Sequence, residues 1–332
     1  MECIVVDDGS SDHSADVAQQ ASVRVLKTGE RRGPAAARNL GAAHARGEIL
    51  LFLDADVCVH RDTLARIARA FTANSGLDAV IGSYDDAPAS QGFCSQYRNL
   101  MHCYVHQTSR PGASTFWTGC GAVRKRVFAE LGGFNERHKL PSTEDIEFGY
   151  RMTFAGCKII LDRTVLVKHL KTWTLGEMLK TDVVRRGVPW TRLILHYRKM
   201  PNDLNLRWSQ RVSVPMAWSS AGFSALALVL GFRSYGAFAS RSTAGAAVCL
   251  IALLILNLPF YRFLTKTRGL RFALAAAPLH WLHHFLNGIA FVSGLTLHVC
   301  APASADVGAT SVRKWILLPD NRPAESGATF AD

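Results

Sequence analysis

The chain has 332 residues, 48% of them hydrophobic, which is ample for one full α/β core and a second part. Its net charge of +12 invites a nucleic-acid reading, but residues 1–171 carry 21 basic and 19 acidic side chains, whereas residues 172–332 carry 17 and 7. The excess lies beside apolar stretches, and no stripe of interleaved aromatic and basic residues marks the first half, so nucleic acid is excluded as a partner. The eight cysteines show no C-x-x-C pair and no regular spacing, which argues against a disulfide frame or a zinc site.

Glu2-Cys3-Ile4-Val5-Val6 is a short β-branched run that stops at the acidic turn Asp7-Asp8-Gly9-Ser10-Ser11-Asp12. A helix capped by Ser11 or Asp12 follows, with Val17 and Ala18 expected to face the core. Residues 23–26 read as a second strand, and Gly33-Pro34 opens a helix that carries Arg38 and Asn39. The apolar run Ile49-Leu50-Leu51-Phe52-Leu53 then delivers Asp54-Ala55-Asp56 into a loop. Such a strand has no packing reason to present two carboxylates, because unpaired buried charge is costly. Mg²⁺ or Mn²⁺ is usually held by one or two carboxylates together with substrate phosphates, so the pair reads as a metal-diphosphate grip.

A helix near 62–73 and a strand near 79–81 continue the alternation. It predicts an α/β fold with a mostly parallel sheet flanked by helices. Ligands of such sheets bind beyond the carboxyl ends of the strands, where the acidic loops sit. Farther on, Thr143-Glu144-Asp145 reads as a carboxylate base and equally as the N-cap of the helix through Phe148 and Met152; the two roles are compatible.

The string from Val5-Val6-Asp7-Asp8-Gly9-Ser10, through Gly33-Pro34-Ala35-Ala36-Ala37-Arg38-Asn39, to Leu53-Asp54-Ala55-Asp56 resembles the family 2 glycosyltransferases of the GT-A fold. Gly132-Gly133-Phe134 followed by Thr143-Glu144-Asp145 continues the pattern, and the resemblance covers roughly residues 2–172. It implies a nucleotide-sugar donor, with Asp7 or Asp8 on the base or ribose and Arg38 near the nucleotide. It further implies Asp54 and Asp56 as ribose and metal-diphosphate ligands, Asp56 being the direct metal ligand. Gly119 and Gly121 would line the floor where sugar and acceptor meet, Asp145 would be the catalytic base with Glu144 its neighbour, and His169 would be an extra metal ligand. In that family a strand ending in a Pro-x-Tyr-Asn type loop, and a helix, precede the segment seen here at residues 2–10. This sequence is expected to lack them, which would leave a pair of unpaired sheet edges.

Three uncharged stretches, 212–232, 242–261 and 272–305, predict about three transmembrane helices, the second being the clearest. The loop over 262–271 carries Arg262, Lys266, Arg268 and Arg271, which places it, and with it the catalytic half, on the cytoplasmic side of the cytoplasmic membrane. Between the halves, residues 173–211 hold eight bases, three acids and Trp173, Trp190 and Trp208, as expected of amphipathic helices lying at an interface with Trp at headgroup depth. Arg185-Arg186-Gly187-Val188-Pro189-Trp190 partly resembles the Q-x-x-R-W motif of processive polysaccharide synthases, but the glutamine is absent and the spacing differs.

The organisation expected is thus a catalytic domain over 1–172, interface helices over 173–211, transmembrane helices over 212–305 and a polar tail over 306–332. The function expected is metal-assisted, inverting sugar transfer to a hydroxyl, with a lipid-linked acceptor open. The alternatives are a processive synthase and a catalytically decayed membrane protein that keeps a sugar-nucleotide-binding fold. Histidines 280, 283 and 284 suit helix packing better than metal, since no carboxylate is near in sequence.

Overall fold

The computed structural model describes residues 1–138 and 143–300. In chain order its first half runs β1 (Ile4–Asp7), α1 (Ser14–Gln20), β2 (Arg24–Lys27), α2 (Pro34–His44), β3 (Ile49–Leu53), β4 (Val57–Val59), α3 (Thr63–Ala73), β5 (Ala79–Tyr84), α4 (Phe93–Thr108), β6 (Cys120–Arg124), α5 (Lys125–Glu130), α6 (Glu144–Phe154) and β7 (Ile159–His169). β1 and β2 pair in parallel as a two-stranded sheet of their own, and a second sheet has the order β3-β6-β5-β7-β4. No strand pair joins the two sheets among the described residues.

β3, β5 and β7 run the same way, as the alternation predicts. β6 is inserted in reverse between β3 and β5, and β4 runs against β7, so only β5–β7 is a parallel pair in this sheet. The sheet is therefore more mixed than the sequence leads one to expect. β4 is three residues long and β6 begins Cys-Gly-Ala, so neither carries a strong strand signal.

Side chains alternate between the sheet's two faces. Ala79, Ile81, Val123, Ile159 and Leu161 face one cluster, which includes Phe52, Phe116, Phe128, Phe134 and Phe148. The five rings meet edge-on or tilted, with centroids 5.0–6.4 Å apart. Val80, Ala122, Val165 and Val167 face the other cluster, under Ile67 and Phe71 of α3. α1 contributes nothing to either: it buries no residue, and Val17, expected in the core, is 63% exposed.

The second half begins with α7 (Leu175–Lys180), whose Thr174 and Glu177 form a capping box, followed by a π-helical turn (Thr181–Gly187) and α8 (Val188–Tyr197). Trp190, Leu193 and Tyr197 of α8 pack on Ile146 and Tyr150 of α6. Trp190 is thus a core residue, contrary to the headgroup position expected, and Trp208 alone of the three tryptophans is largely exposed. The amphipathic face of 173–211 is turned at least partly onto the α/β half.

α9 (Trp208–Phe232) and α10 (Gly236–Leu256) are long and apolar enough to cross a membrane, and only about a sixth of their apolar windows is buried. They are the two such helices among the described residues, against three expected. The third stretch falls on α12 (Leu270–Cys300), and its last residues, 301–305, like the predicted polar tail, lie outside the described residues. α12 differs in composition, its histidines and Asn287 making it less apolar than α9 and α10. His280 and His284 are buried, with His280 Nδ1 3.0 Å from the Tyr261 hydroxyl and the two His Nε2 atoms 3.1 Å apart.

The basic segment expected to be a loop is the helix α11 (Leu258–Arg268), which buries Phe260 and Leu264 against Tyr97 and Leu100 of α4. Arg268 donates to Gln96 Oε1 at 2.7 Å and to the Asp86 carbonyl at 2.5 Å. The basic segment and the α/β half therefore lie on one side of the α9–α10 hairpin.

Candidate active site

A cavity of about 570 Å³ opens at the carboxyl ends of β3 and β5, within the usual range for small-molecule sites. Six residues singled out in the sequence line it: Arg38, Asp54, Asp56, Glu144, Asp145 and His169. The first of these organises the acidic wall. Arg38, one turn into α2, donates to Asp54 Oδ1 at 2.7 Å and to Glu144 Oε1 at 2.5 Å. Burial works against its charge, but Asp54, Glu144 and Asp145 outweigh that and raise its pKa. The Asp54 carboxyl is also pushed up, by burial and against the pull of Arg38.

Asp56 and His169 meet because of strand register. β4 pairs with β7 so that Val57 lies opposite His169, and the Leu170 N–H donates to the Asp56 carbonyl at 2.7 Å. The Asp56 carboxylate consequently lies 3.7 Å from His169 Nε2, and the His169 ring stacks on Tyr84 at 4.3 Å. The adjacent imidazole holds Asp56 below the ordinary carboxylate range. No three His, Cys, Asp or Glu side chains are set to enclose a metal among the described residues. Two donors, one of them an ionised oxygen ligand facing an open cavity, fit a cation that takes its other ligands from phosphate oxygens.

Asp145 sits at the first turn of α6, with its Oδ2 accepting from the Thr118 N–H at 3.2 Å and the Thr118 hydroxyl at 3.3 Å. Burial, and then the Glu144 charge beside it, push its pKa up to about 6. A carboxyl poised there suits proton transfer near neutral pH. Thr143 occupies the N-cap position of α6, but its side chain does not cap the helix. Only the helix-start half of the capping reading is therefore present.

Four expected site residues lie elsewhere. Asp7 accepts from the Ser10 N–H at 2.9 Å, as a turn former does. Asp8 accepts from the Arg32 and Gly33 N–H groups at 2.8 and 2.7 Å, tying β1 to the start of α2. Neither lines the cavity. Nor do Gly119 and Gly121, because Trp117 and Phe116 fill the space in front of them: a Cβ at Gly119 would lie 2.3 Å from the Trp117 ring, and one at Gly121 2.6 Å from that of Phe116. The glycines admit those rings, and it is Trp117 and Thr118 that face the cavity.

The sequence reading also missed what supports the acidic wall. Arg151 forms a bidentate pair with Glu147 at 2.8 Å and donates to the Leu131 and Gly133 carbonyls at 2.5 and 2.7 Å. Tyr197 of α8 donates to Glu147 Oε1 at 2.8 Å. Asn39 exchanges two 2.8 Å hydrogen bonds with the Phe134 backbone, so Gly132-Gly133-Phe134 is pinned from both sides. Both glycines have positive φ, 75° and 67°, which favours Gly in this turn. The Glu147–Arg151 pair was detectable as an i,i+4 spacing on a helix.

Residues 1–132 match the family model described as "Glycosyl transferase family 2". The glycosyltransferase AglE of Haloferax volcanii is 29% identical over 184 residues, which cover 54% of this chain and 59% of that protein. The pre-mycofactocin glycosyltransferase of Mycobacterium tuberculosis is 27% identical over 179 residues, 51% of this chain and 37% of the relative. Thus the chain spans between about a third and three-fifths of the length of these relatives. Among solved structures, the mannosyltransferase PcManGT of Pyrobaculum calidifontis, in complex with GDP-Man and Mn²⁺, aligns with a TM-score of 0.48 at 17% identity, covering 90% of this chain and 78% of that one.

Proposed function

We propose that this chain, whose first 132 residues match the glycosyl transferase family 2 model, is a member of that family and transfers a sugar from a nucleoside-diphosphate donor to an acceptor hydroxyl with inversion. The supporting observation is that Asp54, Asp56, Glu144 and Asp145 converge with Arg38 on one cavity although about ninety residues separate the two acidic pairs. Asp145 and Glu144 follow the segment matched to the family, so their assignment rests on this geometry.

Asp56 and His169, with Asp54 alongside, are the residues to hold Mg²⁺ or Mn²⁺, which supplies Lewis-acid neutralisation of the diphosphate when bound. Asp145 takes the acceptor proton as the oxygen bonds to the anomeric carbon and the carbon–oxygen bond to the diphosphate breaks. Thr118 donating to Oδ2 and the Ile146 N–H donating to Oδ1 fix the Asp145 carboxyl in the cavity wall. One displacement inverts the anomeric centre and requires no enzyme nucleophile, and the anomeric form of the product, read by NMR, tests it: retention sinks the mechanism.

Nucleoside-diphosphate binding by the full chain, measured by calorimetry, is expected to depend on Mn²⁺ or Mg²⁺, and Asp56→Ala is expected to lose that dependence. Equal cation dependence in the variant would remove Asp56 as a metal ligand.

The reading includes attachment to the cytoplasmic membrane through α9 and α10, with the catalytic half on the cytoplasmic side. It is supported by their exposed apolar surfaces and by the four bases at 262–271. The chain is expected to stay with membranes after an alkaline carbonate wash, and release into the soluble fraction would mean that α9 and α10 do not span.

A further inference from the structure

Charge in the cavity is divided between two ends. Arg38 is committed to the acidic end, through Asp54 and Glu144. Away from it the wall carries Arg98 of α4, Lys171 and Arg186 of the π-helical turn. Arg98 is held by Asp182 at 2.5 Å, and Asp182, itself buried, also lies 3.1 Å from His283 Nδ1 on α12. Arg186 makes no hydrogen bond or ion pair among the described residues, its guanidinium resting 5.2 Å from the Trp190 ring centre.

Five cavity-lining side chains carry buried polar atoms with no hydrogen-bond partner among the described residues: Thr181 Oγ1, Trp173 Nε1, Trp190 Nε1 and Asn99 Oδ1, with His102 Nδ1 as the fifth. Asn99 is 1% exposed and Thr181 9%. Buried polar groups are almost always satisfied, so a cluster of unpartnered ones around cations points to a ligand. Two guanidinium groups, a hydroxyl and an indole N–H match the several oxygens of a phosphate better than the two of a carboxylate. The remaining acceptor, Asn99 Oδ1, suits a hydroxyl.

These cations also differ in where they stand. Lys171 follows His169 of the proposed metal site by two residues, whereas Arg186 stands on the turn leading into α8, its guanidinium over the Trp190 ring. The turn carrying Thr181, Asp182 and Arg186 lies against α12, where a Cβ on Gly187 would come within 2.5 Å of the Ala290 methyl. The basic end is therefore at the junction of the α/β half with the C-terminal helices.

We propose that this basic end binds a phosphate group carried by the acceptor, with Arg98 and Arg186 as cationic ligands and Thr181 and Trp173 as further donors. The proposal rests on the glycosyl-transfer reading above. Asp182 acts as a positioning residue that keeps Arg98 turned to the cavity.

The test uses the full chain in detergent micelles, saturated with a nucleoside diphosphate and Mn²⁺ so that the donor site is filled. Decyl monophosphate is the probe, with decanol and inorganic phosphate beside it. Decyl monophosphate is expected to bind, decanol not, and Arg186→Gln to weaken the phosphate probe at least about tenfold. Nucleotide affinity is expected to stay within about threefold, and Arg186→Lys to recover part of the loss. Inorganic phosphate binding as tightly, with the same Arg186 dependence, would support the phosphate site and assign it to a soluble acceptor. Weaker binding of inorganic phosphate would support it with a lipid-borne acceptor. Displacement of the probe by nucleotide, equal binding of decanol, or loss of nucleotide affinity in Arg186→Gln would overturn it. Absence of nucleotide binding by the unsubstituted chain would instead count against the donor assignment alone.

Discussion

Asp145→Asn is expected to lower sugar transfer about a hundredfold or more while leaving nucleoside-diphosphate affinity nearly unchanged. The amide keeps the shape of the carboxyl but cannot take the acceptor proton. It also removes a charge that burial and Glu144 already disfavour, so no loss of folding is expected. Steady-state kinetics and donor calorimetry on the same preparation separate the two effects. Transfer at the unsubstituted rate would move the base elsewhere, with Glu144 next in line.

The same assignment fixes a pH dependence. With the Asp145 pKa raised to about 6, the base is protonated below that value and free above it. Transfer is therefore expected to rise through pH 6 and level off above, falling to about a tenth of the plateau at pH 5. A flat profile between pH 5 and 8 with intact cation and donor binding would contradict Asp145 as the base.

Arg151→Met is expected to destabilise the α/β half by about 3–5 kcal/mol, because it leaves the Glu147 carboxylate buried without its cation. The Leu131 and Gly133 carbonyls lose their donors at the same time, so the turn before α6 loosens. Chemical denaturation followed by tryptophan fluorescence measures the loss. The double variant Arg151→Met with Glu147→Leu is expected to recover much of it, since removing both charges leaves neither unpaired. A loss below about 1 kcal/mol in the single variant would mean that solvent or Tyr197 satisfies Glu147 instead.

What the sequence determined by itself was local in origin. An apolar run ending in Asp54-Ala55-Asp56, a Gly-Pro helix start leading to Arg38, and an acidic helix start at Glu144 are each written within a few residues. Each follows from short-range rules of burial, backbone freedom and capping. The same locality made α9 and α10 legible, since length and apolarity suffice to define a candidate span. It overextended to a third span because an uncharged stretch is not always an apolar one: His280, His283, His284 and Asn287 lower the apolarity of α12 below that of α9 and α10, and the structure seats the histidines against Tyr261 and the π-helical turn.

Everything that depends on pairing across the chain was decided by tertiary structure. His169 faces Asp56 only because of the β4–β7 register, and a register cannot be read from three residues. Thr118 holds Asp145, and Trp117 takes the place in the cavity wall that the family resemblance implied for Gly119, because β6 enters the sheet reversed between β3 and β5. The basic end assembles Arg98, Asp182 and Arg186 from α4 and the π-helical turn, with His283 of α12 behind them. Sequence patterns report which side chains an element can bury or expose. Which of them meet depends on strand order and helix docking, where burial of whole faces outweighs any single local preference.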